Sequence, residues 1–205
     1  MPRFPYAILI VGWLKNDEMT ADVHLTMAEL EAGLAEIRRA PKEAGRLELI
    51  VRRPAEGARE TLDVGVLDTE LGLVGDRWHA GARGRAPDPD TQLTLMSARL
   101  ASLVAQSPQR WGLAGDQLYV DLDLSQRNLP PGTLLQIGDA TVQVSAVPHT
   151  GCRKFVERFG LDAMLFVNSP VGRALRLRGV NTRVVDGGTI SVGDLVRKVS
   201  HPTNP

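Results

Sequence analysis

Between residues 25 and 41 the apolar positions recur at intervals of three and four, so Met27, Leu30, Leu34 and Ile37 share one face of a helix. Thr26 and Glu29 have capping-box spacing, Leu25 and Leu30 can staple the entering chain, and Pro41 forbids continuation. The pattern predicts a helix that starts at Met27 and packs across a sheet or barrel. Downstream the period falls to two. Leu47, Leu49 and Val51 alternate with Arg46, Glu48 and Arg52, and Leu62, Val64 and Val66 follow the same rule. Leu118, Val120, Leu122 and Leu124 stand against Tyr119, Asp121, Asp123 and Ser125, and Val142, Val144 and Ala146 against Thr141, Gln143 and Ser145. These read as strands with one buried and one wet face. Further strands are expected over 133–137, 180–185, 189–192 and 195–199. Short helices are expected over 98–106, about 151–159 and 170–177, the last opened by Ser169-Pro170.

Four Gly-Asp dipeptides punctuate the chain: Gly75-Asp76, Gly115-Asp116, Gly138-Asp139 and Gly193-Asp194. The last two separate alternating runs, where a tight turn needs positive φ. Residues 132–139 and 188–194 resemble each other with one residue deleted, which reads as two hairpins sharing one turn chemistry. Many short strands without sustained βαβ alternation predict a mainly β fold, a closed or nearly closed β-barrel with short helical insertions and an N-terminal helix. The expected organisation is a tail over 1–18, a helical segment over 19–43, the barrel over 44–199 and a tail over 200–205. A chain of 205 residues suits one such core.

Composition narrows the function classes. With 43% apolar residues, 23% charged and no net charge, the chain reads as a soluble globular domain without bulk charge for nucleic acid. Four Phe, three Trp and two Tyr also give few stacking platforms, so no nucleic-acid partner is expected. The apolar run over 4–14 is broken by Pro5 and Gly12, has no small-residue cleavage site, and is shorter than the roughly 20 residues a bilayer needs. No membrane partner is expected, and residues 1–18 read as translated from a start upstream of Met19. Cys152 is the single cysteine, which excludes an internal disulfide and a multi-thiolate zinc site and points to a reducing, cytoplasmic compartment. The basic residues are twenty Arg and four Lys, a bias that suits bidentate anion contacts and that codon composition would equally produce.

The segment Pro148-His149-Thr150-Gly151-Cys152-Arg153-Lys154-Phe155 joins a strand to a helix. If Thr150 caps that helix, Cys152 falls in its first turn, where free N–H groups, the helix dipole, Arg153 and Lys154 all favour a thiolate. Such a sulfur suits nucleophilic attack, sulfur transfer or a soft metal; the alternative is a small buried hydrophobe. His149 is a candidate base or anion contact, or simply closes the turn. The loop over 75–85 carries Arg77, Arg83, Arg85 and His79 among glycines, a composition able to surround a phosphate. Arg173, Arg176, Arg178 and Arg183 read as the solvated outer face of a helix and strand. No phosphate-binding loop, dinucleotide fingerprint, zincin helix or nucleophile elbow is present.

In order, Gly72-Leu73-Val74-Gly75-Asp76-Arg77, the run over 118–124, Gly132 to Gly138-Asp139, Gly151-Cys152, Phe159-Gly160, Arg178-Gly179-Val180 and Gly188 to Gly193-Asp194 resemble the MOSC family, named for the C-terminal domain of molybdenum cofactor sulfurases. The resemblance spans about residues 44–199. It implies a small β-barrel that binds molybdenum cofactor, an anionic pterin dithiolene, with Cys152 as metal ligand or persulfide carrier. Arg77, His79, Thr150, Gly151, Arg153 and Lys154 are then the expected cofactor-binding residues. Two departures stand out: Gly151 occupies the place where many members have proline, and Gly115-Asp116-Gln117 stands where bacterial members often have Gly-Glu-Asn.

Three functions follow as expectations. The first is a molybdenum-dependent reductase of N-hydroxylated small molecules, with Cys152 holding the metal and a separate reductase supplying electrons. The second is a sulfur carrier, with a cysteine desulfurase loading a persulfide on Cys152. The third is a non-catalytic barrel in which Cys152 is buried and inert.

Overall fold

Alternation in the sequence becomes strand pairing in the computed structural model, which describes residues 24–81 and 86–199. The expected tails, Met19, Arg83 and Arg85 lie outside the described residues. The strands are β1 (Ala44–Arg52), β2 (Glu60–Leu62), β3 (Val64–Asp68), β4 (Gly72–Leu73), β5 (Leu93–Ser97), β6 (Leu118–Asp121), β7 (Leu134–Ile137), β8 (Ala140–Val144), β9 (Val180–Asp186), β10 (Gly188–Ser191) and β11 (Leu195–Val199). The order β11-β7-β8-β9-β5-β6-β1 closes into a barrel because β1 pairs back onto β11. β2 continues the sheet beyond β1, and β10, β3 and β4 form a smaller second sheet. Only the β5–β6 pairing is parallel among the described strands. The expected closed β-barrel is what the chain forms.

Inside the barrel lies an apolar core that includes Leu47, Ile50, Leu95, Leu118, Val120, Leu135, Ile137, Val142 and Val196. A second apolar layer fills the space between one outer flank of the barrel and the helices. These are α1 (Met27–Ala32), α2 (Leu34–Ile37), α3 (Ala98–Ala105), α4 (Arg153–Asn168) and α5 (Pro170–Ala174). Val51, Met96 and Tyr119 project outward from β1, β5 and β6 into this layer. Tyr119, expected on a wet face, is therefore fully buried, and its hydroxyl donates to the Trp111 carbonyl at 2.8 Å.

Strict alternation misplaces part of β1. A register shift between Leu47 and Leu49 puts Leu47 inside the barrel, whereas Leu49 and Val51 face the helices. A bulge of this kind flips every later side chain to the other face. The expected single strand through residues 62–66 is likewise two, β2 and β3, because the chain passes from the large sheet to the small one. β5 escaped the period-two reading since all five of its residues are buried. Residues 188–194 do not make a hairpin, because β10 pairs with β3 while β11 pairs with β7 and β1. Gly193-Asp194 instead turns the chain between sheets, exchanging backbone hydrogen bonds with Leu47.

The N-terminal helix starts at Met27 with the expected Thr26–Glu29 capping box and is interrupted at Gly33. It packs on α4 rather than on strands, and Asp162 accepts from the Met27 N–H at 2.9 Å. α4 is itself broken at Gly160, whose φ of 88° no ordinary helical residue adopts. Among the described residues no helix is long and apolar enough to cross a membrane.

Candidate functional site

Loops at the ends of β1, β6, β8 and β9 converge with a short turn of helix over Arg77–Ala80 to enclose a cleft of about 630 Å³. Asp76 fixes its first wall. This carboxylate is fully buried and accepts four hydrogen bonds, each at 2.9 Å: from the Arg53 backbone N–H, Arg53 Nε, Arg53 Nη2 and the Trp78 backbone N–H. Both oxygens are saturated, and the bidentate pair holds the Arg53 guanidinium at the cleft with its third nitrogen on the Gly115 carbonyl. The Gly75-Asp76 turn thus anchors the end of β1 to the turn that carries Arg77.

Asp116 builds the opposite wall and is equally buried. Its Oδ2 accepts from Arg178 Nη1 at 2.6 Å, while Arg178 Nη2 donates to the Ala114 carbonyl at 3.0 Å. The Arg178 guanidinium lies 5.2 Å from the Phe155 ring centroid, within cation–π range. Arg178 is 6% exposed, which overturns its expected place on a solvated face. The reason is Gly179: with φ of 106° and the position of a Cβ only 2.3 Å from the Leu95 carbonyl, it presses the chain against β5 and turns Arg178 inward. On the other Asp116 oxygen, His149 Nδ1 stands at 3.5 Å, too far for a hydrogen bond, and both atoms are buried without a partner. Burial pushes the His149 pKa down to about 4 despite the Asp116 carboxylate, so the imidazole is neutral at pH 7.

Cys152 is exposed at the cleft, which excludes the reading of a buried, inert thiol. It occupies the N-cap of α4 rather than the first turn, and its carbonyl accepts from the Phe155 N–H at 2.9 Å. Gly151 holds it there. The Gly151 N–H donates to Asn168 Oδ1 at 3.0 Å and its carbonyl accepts from Asn168 Nδ2 at 3.3 Å. A Cβ at this position would come within 3.0 Å of Val167 and 3.1 Å of Asn168, and a proline would remove the N–H. The departure from the commoner proline therefore has a local cause, the close docking of this loop on the far half of α4.

Among the described residues six cationic side chains line the cleft, Arg53, Arg59, Arg77, Lys154, Arg158 and Arg178, against two carboxylates, Glu56 and Asp88. Arg53 and Arg178 are neutralised by the buried acids, and Lys154 stands 3.5 Å from Glu56 in solvent. Arg59, Arg77 and Arg158 have no carboxylate partner among the described residues. Arg59 is the most constrained: its Nε is buried without a partner, and burial followed by the like charges of Arg158 and Arg53 pushes its pKa down. Of the residues singled out in the sequence, Cys152, Arg77, Lys154 and His149 line this cleft. Thr150 lines a neighbouring cavity instead. His79 turns its Nδ1 to the Asp76 carbonyl at 2.8 Å, and Arg153 points into solvent beside Glu157. Arg53, Arg59 and Arg158 escaped sequence reasoning, because each is an ordinary charged residue in a different segment. Asp76 and Asp116 were marked by the Gly-Asp repeat and by the family resemblance, but neither signal named the arginine each would hold.

The MOSC domain model matches residues 88–197, more than half of the chain. The chain belongs to the MOSC domain family. No curated protein matches it. Among solved structures, the MOSC chain is similar to YiiM from Escherichia coli, at 24% identity over 78% of this chain and 72% of that one, with a TM-score of 0.51. It is also similar to the YuaD protein from Bacillus subtilis, at 16% identity over 77% of this chain and 97% of that one, with a TM-score of 0.53. At such identities the likeness carries the barrel and its helical flank. The thiol cleft rests on the residues described above.

Proposed function

We propose that this MOSC protein binds molybdenum cofactor in the Cys152 cleft and reduces N-hydroxylated small molecules. The observation that carries the reading is one exposed thiol in the same cleft as Arg59, a guanidinium crowded by Arg53 and Arg158 that makes no ion pair with a described carboxylate. A crowded cation of this kind is relieved by an anionic ligand. The donor set fits the group: a single soft sulfur for the metal, and Arg59, Arg77, Arg158 and Lys154 for the phosphate end. Among the described residues no three His, Cys, Asp or Glu side chains converge, so a metal at Cys152 would bring most of its ligands with it.

When bound, the cofactor supplies a two-electron redox centre. The protein's own contribution is to hold it in place: Asp76 orients Arg53, Asp116 orients Arg178, and Phe155 and Thr94 form part of the wall. Reduction of an N-hydroxyl group to the amine takes up two electrons and two protons and releases water. The electrons come from a separate reductase protein, and the open rim at Cys152 leaves that side accessible.

Elemental analysis of protein expressed in cofactor-competent cells tests the reading. Near-stoichiometric molybdenum in the wild type, lost in Cys152→Ser and reduced in Arg59→Gln, is the expected result. No metal in the wild type, or full loading of Cys152→Ser, rejects it. The exposure of Cys152 also suits a second reading, a persulfide carrier loaded by a cysteine desulfurase. Mass spectrometry finding a 32 Da adduct on Cys152 in metal-free protein would favour that reading.

A further inference from the structure

A second cavity of about 380 Å³ lies behind the wall formed by His149 and Arg178, which line both spaces. Its surface combines apolar side chains, Val147, Pro148, Val167 and Val180, with three arginines, Arg173, Arg176 and Arg178. Among the described residues no acidic side chain lines it. Arg178 has two of its nitrogens engaged by Asp116 and Ala114, but its Nε is buried without a partner. Arg173 and Arg176 have no carboxylate partner among the described residues. Arg176 is half-buried, the one polar contact of its side chain among the described residues is the Leu129 carbonyl, and burial lowers its pKa.

The backbone at Arg176 adds an independent sign. Helix α5 ends in a Schellman motif, in which the Leu177 N–H donates to the Gly172 carbonyl and the Arg176 N–H to the Arg173 carbonyl. That motif puts Arg176 in the left-handed region, at φ of 49°. Glycine is the relaxed choice at this position, and a residue with a Cβ is strained there. The chain instead spends this position on a long cation facing an acid-free, partly apolar cavity.

We propose that this second cavity is a binding site for a small organic carboxylate, whose head pairs with Arg173 and Arg176 and whose apolar tail lies on Val147, Val167 and Val180. A carboxylate supplies the missing countercharge in the bidentate geometry that guanidinium favours, and its hydrocarbon part covers the valines. An alcohol of the same length would leave the arginines unneutralised, and an amine would add to their repulsion. The site does not depend on the cofactor, since neither arginine touches the Cys152 cleft.

Isothermal titration calorimetry of the full chain with hexanoate, hexanol and hexylamine tests the proposal, using cofactor-free protein so that the result is separate from the fate of Cys152. Hexanoate is expected to bind at least tenfold more tightly than either analogue. Arg176→Gly should weaken hexanoate at least tenfold while leaving the Tm at or above that of the wild type, because the glycine relaxes the backbone. Arg173→Gln, on the exposed end of α5, provides a second variant with little folding cost and should weaken binding several-fold. Arg197→Gln, far from the cavity on β11, should bind as the wild type does. Equal affinity for hexanoate and hexanol, no measurable hexanoate binding, or wild-type affinity in both Arg173→Gln and Arg176→Gly would each overturn the proposal.

Discussion

Asp76 and Asp116 form a natural comparison. Each follows a glycine, each is fully buried, and each holds an arginine at the same cleft. Yet Asp76 has both oxygens saturated by four N–H donors, while Asp116 uses one oxygen on Arg178 and leaves the other bare opposite His149. A saturated buried carboxylate does its work in the fold: it repays its desolvation locally and joins β1 to the next turn. A half-used one keeps an acceptor in reserve beside a neutral histidine, a condition that costs stability and is found where ligands or protons arrive. The cleft is thus built from one structural and one unfinished ion pair.

Replacing each acid by its amide should separate the two most strongly. In Asp76→Asn the new NH2 must face two N–H donors whichever way it turns. A loss of about 3–5 kcal/mol of unfolding free energy is expected in urea titrations. In Asp116→Asn the NH2 can take the Oδ1 position, where no donor is lost, while the carbonyl keeps its bond to Arg178. The Arg178 charge is left buried without its carboxylate, so a loss of about 2–3 kcal/mol is expected, less than in Asp76→Asn because no N–H donor is turned onto the new NH2. Equal losses in the two variants would erase the distinction between them.

The next effect is carried by His149. Its folded pKa of about 4 lies below the ordinary 6.5, so on acidification the unfolded chain binds the proton first. The stability owed to the neutral imidazole is complete above pH 6.5 and is lost progressively as pH falls toward 4, on the order of 3 kcal/mol in all. His149→Gln has no such titration. The difference in unfolding free energy between wild type and variant should therefore shrink from pH 7 to pH 4, and a constant difference would show that His149 titrates normally.

How much of this was legible beforehand depends on the range of the interaction. The capping box at Thr26, the cap at Ser169, and β11 with its bounds follow from neighbours within a few residues, and the structure has them where the sequence puts them. The barrel itself follows from alternation and turn spacing. The bulge in β1 and the fully buried β5 did not, because one is a register defect and the other has no wet face to mark it. In the cleft, Cys152 and its neighbours were visible because they form one contiguous segment. The partners that matter to them come from positions 53, 59, 116, 158 and 178, and no local pattern links an arginine at the end of β1 to an aspartate more than twenty residues on. Contiguous chemistry can be read from sequence, whereas chemistry assembled across strands has to await the pairing.

The smallest effect tests the limit of reading sequence by proximity. Arg153 stands next to the only thiol and was the obvious partner for an anion there. In the structure its side chain is 93% exposed, turned away from the cleft, and paired at 3.0 Å with Glu157 one helical turn on. A pair of this kind on a helix surface contributes a few tenths of a kcal/mol, because water screens it and two long side chains lose freedom in making it. Arg153→Ala should therefore change unfolding free energy by less than about 0.5 kcal/mol and leave molybdenum content at the wild-type level, whereas Lys154→Ala, one residue on but within the cleft, should lower that content. A loss of metal in Arg153→Ala comparable to that in Lys154→Ala would mean that the charge of the helix start as a whole attracts the anion, and that which side chain lines the cleft is secondary.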